Sequence, residues 1–298
     1  MPSLKDLKPG DPTTTLMKGV TGYGKTIAAT SYPEPVYVFD FDSRVDSIQS
    51  FYRGDRRREI HFDTYGAFNL FRYLDELNEL LDSGTIKVDG RTVAPRTVVV
   101  ADSVTALSMA SVDYQLNQVR EFAKKDKKIG KKTQGGIIIP DWDEYKGETS
   151  VFSEVLGIVK ALPKRHGIHT IMTAHPIKST SVGKDSTGKV AVSIKTSQIV
   201  SIGMKAAELV PTAFNEVYHF AMIPSLNAGE KGRRLVYTEG MGDESAKTTL
   251  LLPVMFEWTN ELFYDKLVSL AKQGEENGGN WKDTEMAGKS TTDDSGWN

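Results

Sequence analysis

Gly19-Val20-Thr21-Gly22-Tyr23-Gly24-Lys25-Thr26 decides how this chain is read. The stretch fits G-x-x-x-x-G-K-[ST], the phosphate-binding loop, in which glycines let successive backbone N–H groups wrap phosphate oxygens. By position, Lys25 reaches the β and γ phosphates and the Thr26 hydroxyl binds Mg²⁺. A chance match somewhere in a chain this long is on the order of one in a hundred at ordinary residue usage. The flanks agree with the motif: residues 14–18 read as the strand leading into the loop, and residues 26–30 as the start of the helix leaving it.

A loop of this kind needs a carboxylate at the end of a neighbouring buried strand to hold the magnesium ion through water. Thr97-Val98-Val99-Val100-Ala101-Asp102-Ser103 supplies one at Asp102. The pair implies a nucleoside triphosphate with Mg²⁺. The chain carries no N-K-x-D guanine motif, so ATP is the expected nucleotide.

Outward from these two landmarks, residues 36–41, 97–101 and 169–173 are short apolar runs, rich in β-branched side chains and bounded by turn residues, as in a parallel sheet covered on both faces. Between them, Phe68, Phe71, Leu74, Leu77 and Leu81 recur at helical spacing and stop at Gly84, and residues 151–162 repeat the pattern. Strands alternating with helices predict an α/β fold. Asp89-Gly90 predicts a small hairpin between residues 85–88 and 91–93. Residues 217–222, 234–238 and 248–252 read as antiparallel strands that extend the sheet, with a turn at Asn227-Ala228-Gly229. A last helix is expected from an N-cap at Thr259 through Leu262, Phe263, Leu267 and Leu270 to Gly274.

Composition narrows the function. Of 298 residues, Lys+Arg number 37 and Asp+Glu 39, a net charge of -2, so a nucleic-acid partner has to be met by a local patch. Zero cysteines exclude a disulfide scaffold, a thiolate metal site and a cysteine nucleophile. The five histidines are too scattered for a zinc cluster. No run approaches the roughly 18 to 20 apolar residues of a membrane span, and the first residues lack the apolar core of a signal peptide. A cytoplasmic protein without a membrane partner is expected.

Residues 98–107, from Val98 through Asp102 to Leu107, resemble the Walker B strand of RecA-type recombinases, and the order of the other landmarks is similar to the RecA core over residues 14–253. The 18 residues before Gly19 and the Thr173-Ala174-His175 ending of the third strand most resemble compact phage recombinases and phage nucleotide-binding ATPases. The resemblance implies a RecA-like P-loop NTPase core: a mainly parallel sheet with helices on both faces and antiparallel C-terminal extension strands. The expected organisation is one ATPase domain over residues 1–273, with an insert or loop at about 108–145 and a mobile loop at about 176–212. A disordered acidic tail is expected over residues 274–298, where six acidic residues face two lysines.

The resemblance also assigns roles. In the family, the strand after the loop helix ends in an acidic residue that activates the attacking water; that residue is Asp42 here, with Asp40 as second candidate. The family usually has Glu, one methylene longer. His175 falls where the family senses the γ-phosphate. Lys247 falls where the family presents a basic residue to ATP across a subunit boundary, although the second basic residue expected there is Thr249. Two segments are expected to meet DNA, one after each of the last two core strands. The first includes Lys124, Lys125, Lys127, Lys128, Lys131 and Lys132, and residues 117–136 hold seven basic against two acidic side chains. The second carries Lys178 and Lys184.

The implied function is an ATP-dependent recombinase or annealing ATPase of phage type that binds single-stranded DNA. Its implied partners are that DNA, further copies of itself in a filament or ring, and a single-strand-binding protein. The alternatives are a hexameric helicase or helicase-loader motor, and an ATP-controlled interaction protein with little hydrolysis.

Overall fold

Four fully buried strands make the middle of the molecule. The structure, a computed structural model, describes residues 8–54, 57–125, 133–134, 137–138, 142–184, 190–200, 204–225, 232–240, 246–259 and 261–281. In chain order the elements are β1 (Thr14–Gly19), α1 (Lys25–Thr30), β2 (Val36–Asp40), α2 (Val45–Phe51), β3 (Ile60–Thr64), α3 (Leu70–Ser83), β4 (Ile86–Val88), β5 (Arg91–Val93), β6 (Thr97–Asp102) and α4 (Val104–Lys125). There follow β7 (Thr133–Gln134), β8 (Ile137–Ile138), α5 (Trp142–His166), β9 (His169–Ala174), β10 (Pro176–Lys184), β11 (Val190–Val200), α6 (Met204–Thr212), β12 (Glu216–Ile223), β13 (Arg233–Tyr237), β14 (Met255–Glu257) and α7 (Phe263–Glu276).

The main sheet has the order β14-β13-β12-β1-β9-β6-β2-β3. β12 through β3 run parallel, and β13 and β14 add antiparallel strands at one side. Successive side chains of a strand point to opposite faces. Leu16, Tyr37, Phe39, Val98 and Val100 therefore pack into one core with α3, α4, α5 and α6. Met17, Val36, Val38, Val99 and Ile171 pack into the other with α1 and α7. The mainly parallel sheet with helices on both faces and an antiparallel extension, expected from the sequence, is the one the chain adopts. Because the core strands are parallel, the loops after β1, β2, β6 and β9 all emerge at one edge, and the candidate site is built there.

Several details differ from the sequence reading. Segment 108–145, expected as an insert or loop, is largely helical: α4 runs on to Lys125 and α5 begins at Trp142. Segment 176–212, expected as a long loop, contains the hairpin β10–β11 and α6. Its alternation of Val190, Val192 and Ile194 with small residues has the period of a strand. In α3 the buried stripe is Leu70, Tyr73, Leu74, Leu77 and Leu80, whereas Phe68 and Phe71 are 98% and 60% exposed. The third extension strand is β14 rather than residues 248–252. α7 starts after Leu262 rather than Thr259 and continues through Gly274, because Gly274 packs directly on Leu251, where a Cβ would come within 1.8 Å of its carbonyl oxygen. The turn at 227–229 and the tail from 282 lie outside the described residues.

At the opposite edge of the sheet, His169 opens β9 at 4% exposure, edge-on to Tyr32 at 5.4 Å and to Tyr264 at 5.5 Å. Burial, reinforced by Arg96, lowers its pKa from 6.5 to about 4. Between those values the unfolded chain binds a proton that the folded chain excludes, so this group costs stability progressively as pH falls through that window. His169→Phe keeps a ring and removes the titration. The urea midpoint of this variant is expected to fall less than that of the unmodified protein between pH 6.5 and pH 4.5; parallel decline would remove His169 from the acid response.

Candidate functional site

The loop from β1 to α1 turns back on itself at Gly24, whose φ of 94° lies in the left-handed region. A Cβ at Gly24 would also come within 2.7 Å of Trp258 Cζ3. Glycine is therefore required twice over at this position, by backbone conformation and by the indole beneath it. Arg234 of β13 lies over the same indole, 5.5 Å from the ring centre.

Lys25 follows, with only 6% of its surface exposed. Its Nζ donates to Gly19 O at 2.8 Å and Val20 O at 3.1 Å, and lies 3.4 Å from His175 Nδ1. Burial lowers its pKa from 10.5 to about 8, against the opposing pull of Asp102 and Asp42. An ammonium group held this way by neutral carbonyls gains from an anion brought into the loop.

Thr26 Oγ1 donates to Asp102 Oδ2 at 2.8 Å and lies 3.2 Å from Oδ1. Thr173 of β9 donates to Asp102 Oδ1. Burial pushes the Asp102 carboxyl up, and the hydrogen bonds from Thr173 and Thr26 oppose that push. The donor set of one hydroxyl and one carboxylate fits a hard ion such as Mg²⁺, which keeps several waters and takes its remaining ligands from substrate phosphates. Among the described residues, no group of three or more His, Cys, Asp or Glu side chains forms a metal cage.

The two aspartates after β2 have different surroundings. Asp40 is 2% exposed. Its Oδ1 accepts from the backbone N–H of Asp42 at 3.0 Å, and its Oδ2 has no hydrogen-bond partner. Burial, with Asp102 nearby, raises its pKa from 3.8 to about 6. Asp42 projects toward β9, with Oδ2 3.4 Å from His175 Nε2 and Oδ1 accepting from Ser103 Oγ at 3.3 Å. Burial pulls its carboxyl up, but His175, Arg44 and Ser103 outweigh that and hold it below the ordinary value. His175 completes the group, its Nδ1 3.5 Å from Thr21 Oγ1 and its backbone N–H donating to Thr105 Oγ1 at 3.4 Å.

Residues 19–26, Asp42, Asp102 and His175 thus converge at one sheet edge. Lys247 does not join them: it is exposed, and its backbone pairs with Val217 near the start of β12. Lys124 and Lys125 stand on the last turn of α4, and Lys178 and Lys184 on β10, with only their backbones described. Lys127, Lys128, Lys131 and Lys132 lie outside the described residues. Ser103, Thr105 and Thr173 lie inside stretches read from the sequence but were given no role of their own there, whereas Arg234 and Trp258 reach the site only through tertiary packing.

The chain is similar in structure to the RadB recombinase, with a TM-score of 0.43 and 14% identity over 86% of this chain and 90% of that one. It is also similar to the flagellar accessory protein FlaH of Methanocaldococcus jannaschii, with a TM-score of 0.39 and 8% identity over 78% of this chain and 80% of that one. No curated protein matches it. The model of the AAA domain family matches residues 11–250, a span that holds every residue of the converging site, and the chain belongs to that family.

Proposed function

We propose that the protein is a Mg²⁺-dependent ATPase with a RecA-type core that binds single-stranded DNA and promotes annealing or strand exchange, in the manner of a compact phage recombinase acting in the cytoplasm of a bacterial host. The observation that carries the ATPase reading is the meeting of Thr26 with Asp102 beside Lys25, His175 and Asp42. Hydrolysis of a phosphoanhydride needs little covalent chemistry from the protein; positioning and charge stabilisation supply the catalysis. Residues 19–26 seat the phosphates, and Lys25 gives up its carbonyl partners for phosphate oxygens. Thr26 and Asp102 would hold Mg²⁺, which would supply charge neutralisation to the phosphates when bound. His175 faces the end of the chain of phosphates, where water attacks, and Asp42 stands behind its ring.

The DNA reading is supported by where two segments begin. β10 starts one residue after His175, so the hairpin it forms is directly attached to the residue proposed to meet the γ-phosphate. α4 starts two residues after Asp102 and leads into the run with seven basic and two acidic side chains. Movement at the ATP edge reaches the hairpin directly and the basic run along the 22 residues of α4.

Lys25→Ala is expected to abolish tight ATP binding or turnover while thermal unfolding remains cooperative; unchanged ATPase activity of the purified variant would remove the phosphate-loop assignment. Replacing Lys127, Lys128, Lys131 and Lys132 together with Ala is expected to weaken single-stranded-DNA binding for all sequences. It should also flatten the salt dependence by roughly 0.7 per lost phosphate contact, with ATP binding intact. Unaltered affinity and slope would exclude that segment, and undetectable DNA binding by the intact protein with ATP at low salt would defeat the DNA reading.

A further inference from the structure

Asp42 and His175 form a carboxylate–imidazole pair, and the geometry points to a division of labour within it: His175 Nδ1 takes the proton of the attacking water, while Asp42 is the positioning residue that holds the ring. This inference rests on the ATPase reading above. A neutral imidazole donates from one ring nitrogen and accepts at the other, and a partner on one nitrogen sets the role of the second. Nε2 lies 3.4 Å from Asp42 Oδ2. A carboxylate only accepts, so the ring proton belongs on Nε2 and the lone pair on Nδ1.

Nδ1 faces the phosphate loop. Its neighbours are Lys25 Nζ at 3.4 Å and Thr21 Oγ1 at 3.5 Å, and both can donate to a lone pair. Asp42 is turned the other way: one oxygen meets His175 and the other accepts from Ser103. Among the described residues neither Asp42 oxygen hydrogen-bonds any group of residues 19–26. The carboxylate therefore reaches the phosphate position through the ring. The backbone N–H of Asp42 is tied to Asp102 O at 3.0 Å and to Asp40 Oδ1 at 3.0 Å, which fixes the carboxylate relative to the strand that carries the metal-binding aspartate. Once phosphates draw Lys25 toward themselves, Nδ1 is released to a water molecule.

In the step this assigns, the water oxygen bonds to the γ-phosphorus and the bond from that phosphorus to the β,γ-bridging oxygen breaks, its electron pair leaving with ADP. The water proton passes to Nδ1. The resulting imidazolium is stabilised by the Asp42 carboxylate and then releases its proton to solvent, as ADP and orthophosphate depart.

His175→Gln, His175→Ala, Asp42→Asn and the double variant His175→Ala/Asp42→Asn test this by single-turnover hydrolysis, with affinity for an ATP analogue and thermal unfolding measured in parallel. Expected are analogue affinities within about threefold of the unmodified protein and a fall in turnover of roughly 100-fold or more for His175→Gln, the scale of general-base catalysis. The double variant should be no slower than His175→Ala, because the two residues act as a unit. Added imidazole should restore part of the turnover of His175→Ala and none of that of Asp42→Asn. Turnover of His175→Gln within threefold of the unmodified protein, beside an inactive Asp42→Asn, would overturn the inference and leave the ATPase reading standing. An unmodified protein that fails to hydrolyse ATP with Mg²⁺ would overturn both, and that failure is recognisable because no variant is needed to see it.

Discussion

The hydrogen bond from Thr26 to Asp102 joins the loop after β1 to the end of β6, two strands that are not neighbours. β9 lies between them in the sheet, and Thr173 of β9 donates to the same carboxylate. Three strand ends are therefore locked at one point. The lock exists only because the strands are parallel and buried on both faces, so that their C-terminal ends share an edge. Every other feature of the site is placed relative to it: Lys25 precedes Thr26, Ser103 follows Asp102, and His175 comes two residues after Thr173.

Two groups at this edge are buried against their charge. Burial depresses the Lys25 ammonium and raises the Asp102 carboxyl, so both groups carry a desolvation cost in the protein alone. A phosphate on the lysine and a divalent ion on the carboxylate each offset that cost. Asp42 is different, since His175, Arg44 and Ser103 hold it ionised against burial. In the proposed reading, the carboxyl pushed up holds the metal, and the one held down orients the imidazole that takes the proton.

The core strands were legible because each is a continuous buried run, and the hairpin at Asp89-Gly90 because its turn chemistry is local. β3 was not read, since its residues are half-buried or exposed at the sheet edge and carry no such run. In α3 the hydrophobic spacing was legible but its phase was not: Phe68 and Phe71 satisfy the spacing and stay in solvent, while Tyr73 goes inside and donates to Val100 O at 3.0 Å. The same distinction holds at the site. The phosphate loop and Asp102 are sequence-local and were read directly, whereas Trp258 lies 234 positions from Gly24 and only folding brings it beneath the loop. The different surroundings of Asp40 and Asp42 depend on a turn between them, which no periodicity encodes.

In the proposed function, residues 19–26, Thr26 with Asp102, and His175 with Asp42 form one site for the phosphates of ATP and for Mg²⁺. A crystal structure of the protein with ADP, beryllium fluoride and Mg²⁺ tests it most directly. Expected are phosphates seated on residues 19–26, Mg²⁺ beside Thr26 and Asp102, Lys25 moved off the Gly19 and Val20 carbonyls, and His175 Nδ1 facing the γ-phosphate mimic. Nucleotide bound elsewhere, or Lys25 still held by those carbonyls with nucleotide in the loop, would contradict it.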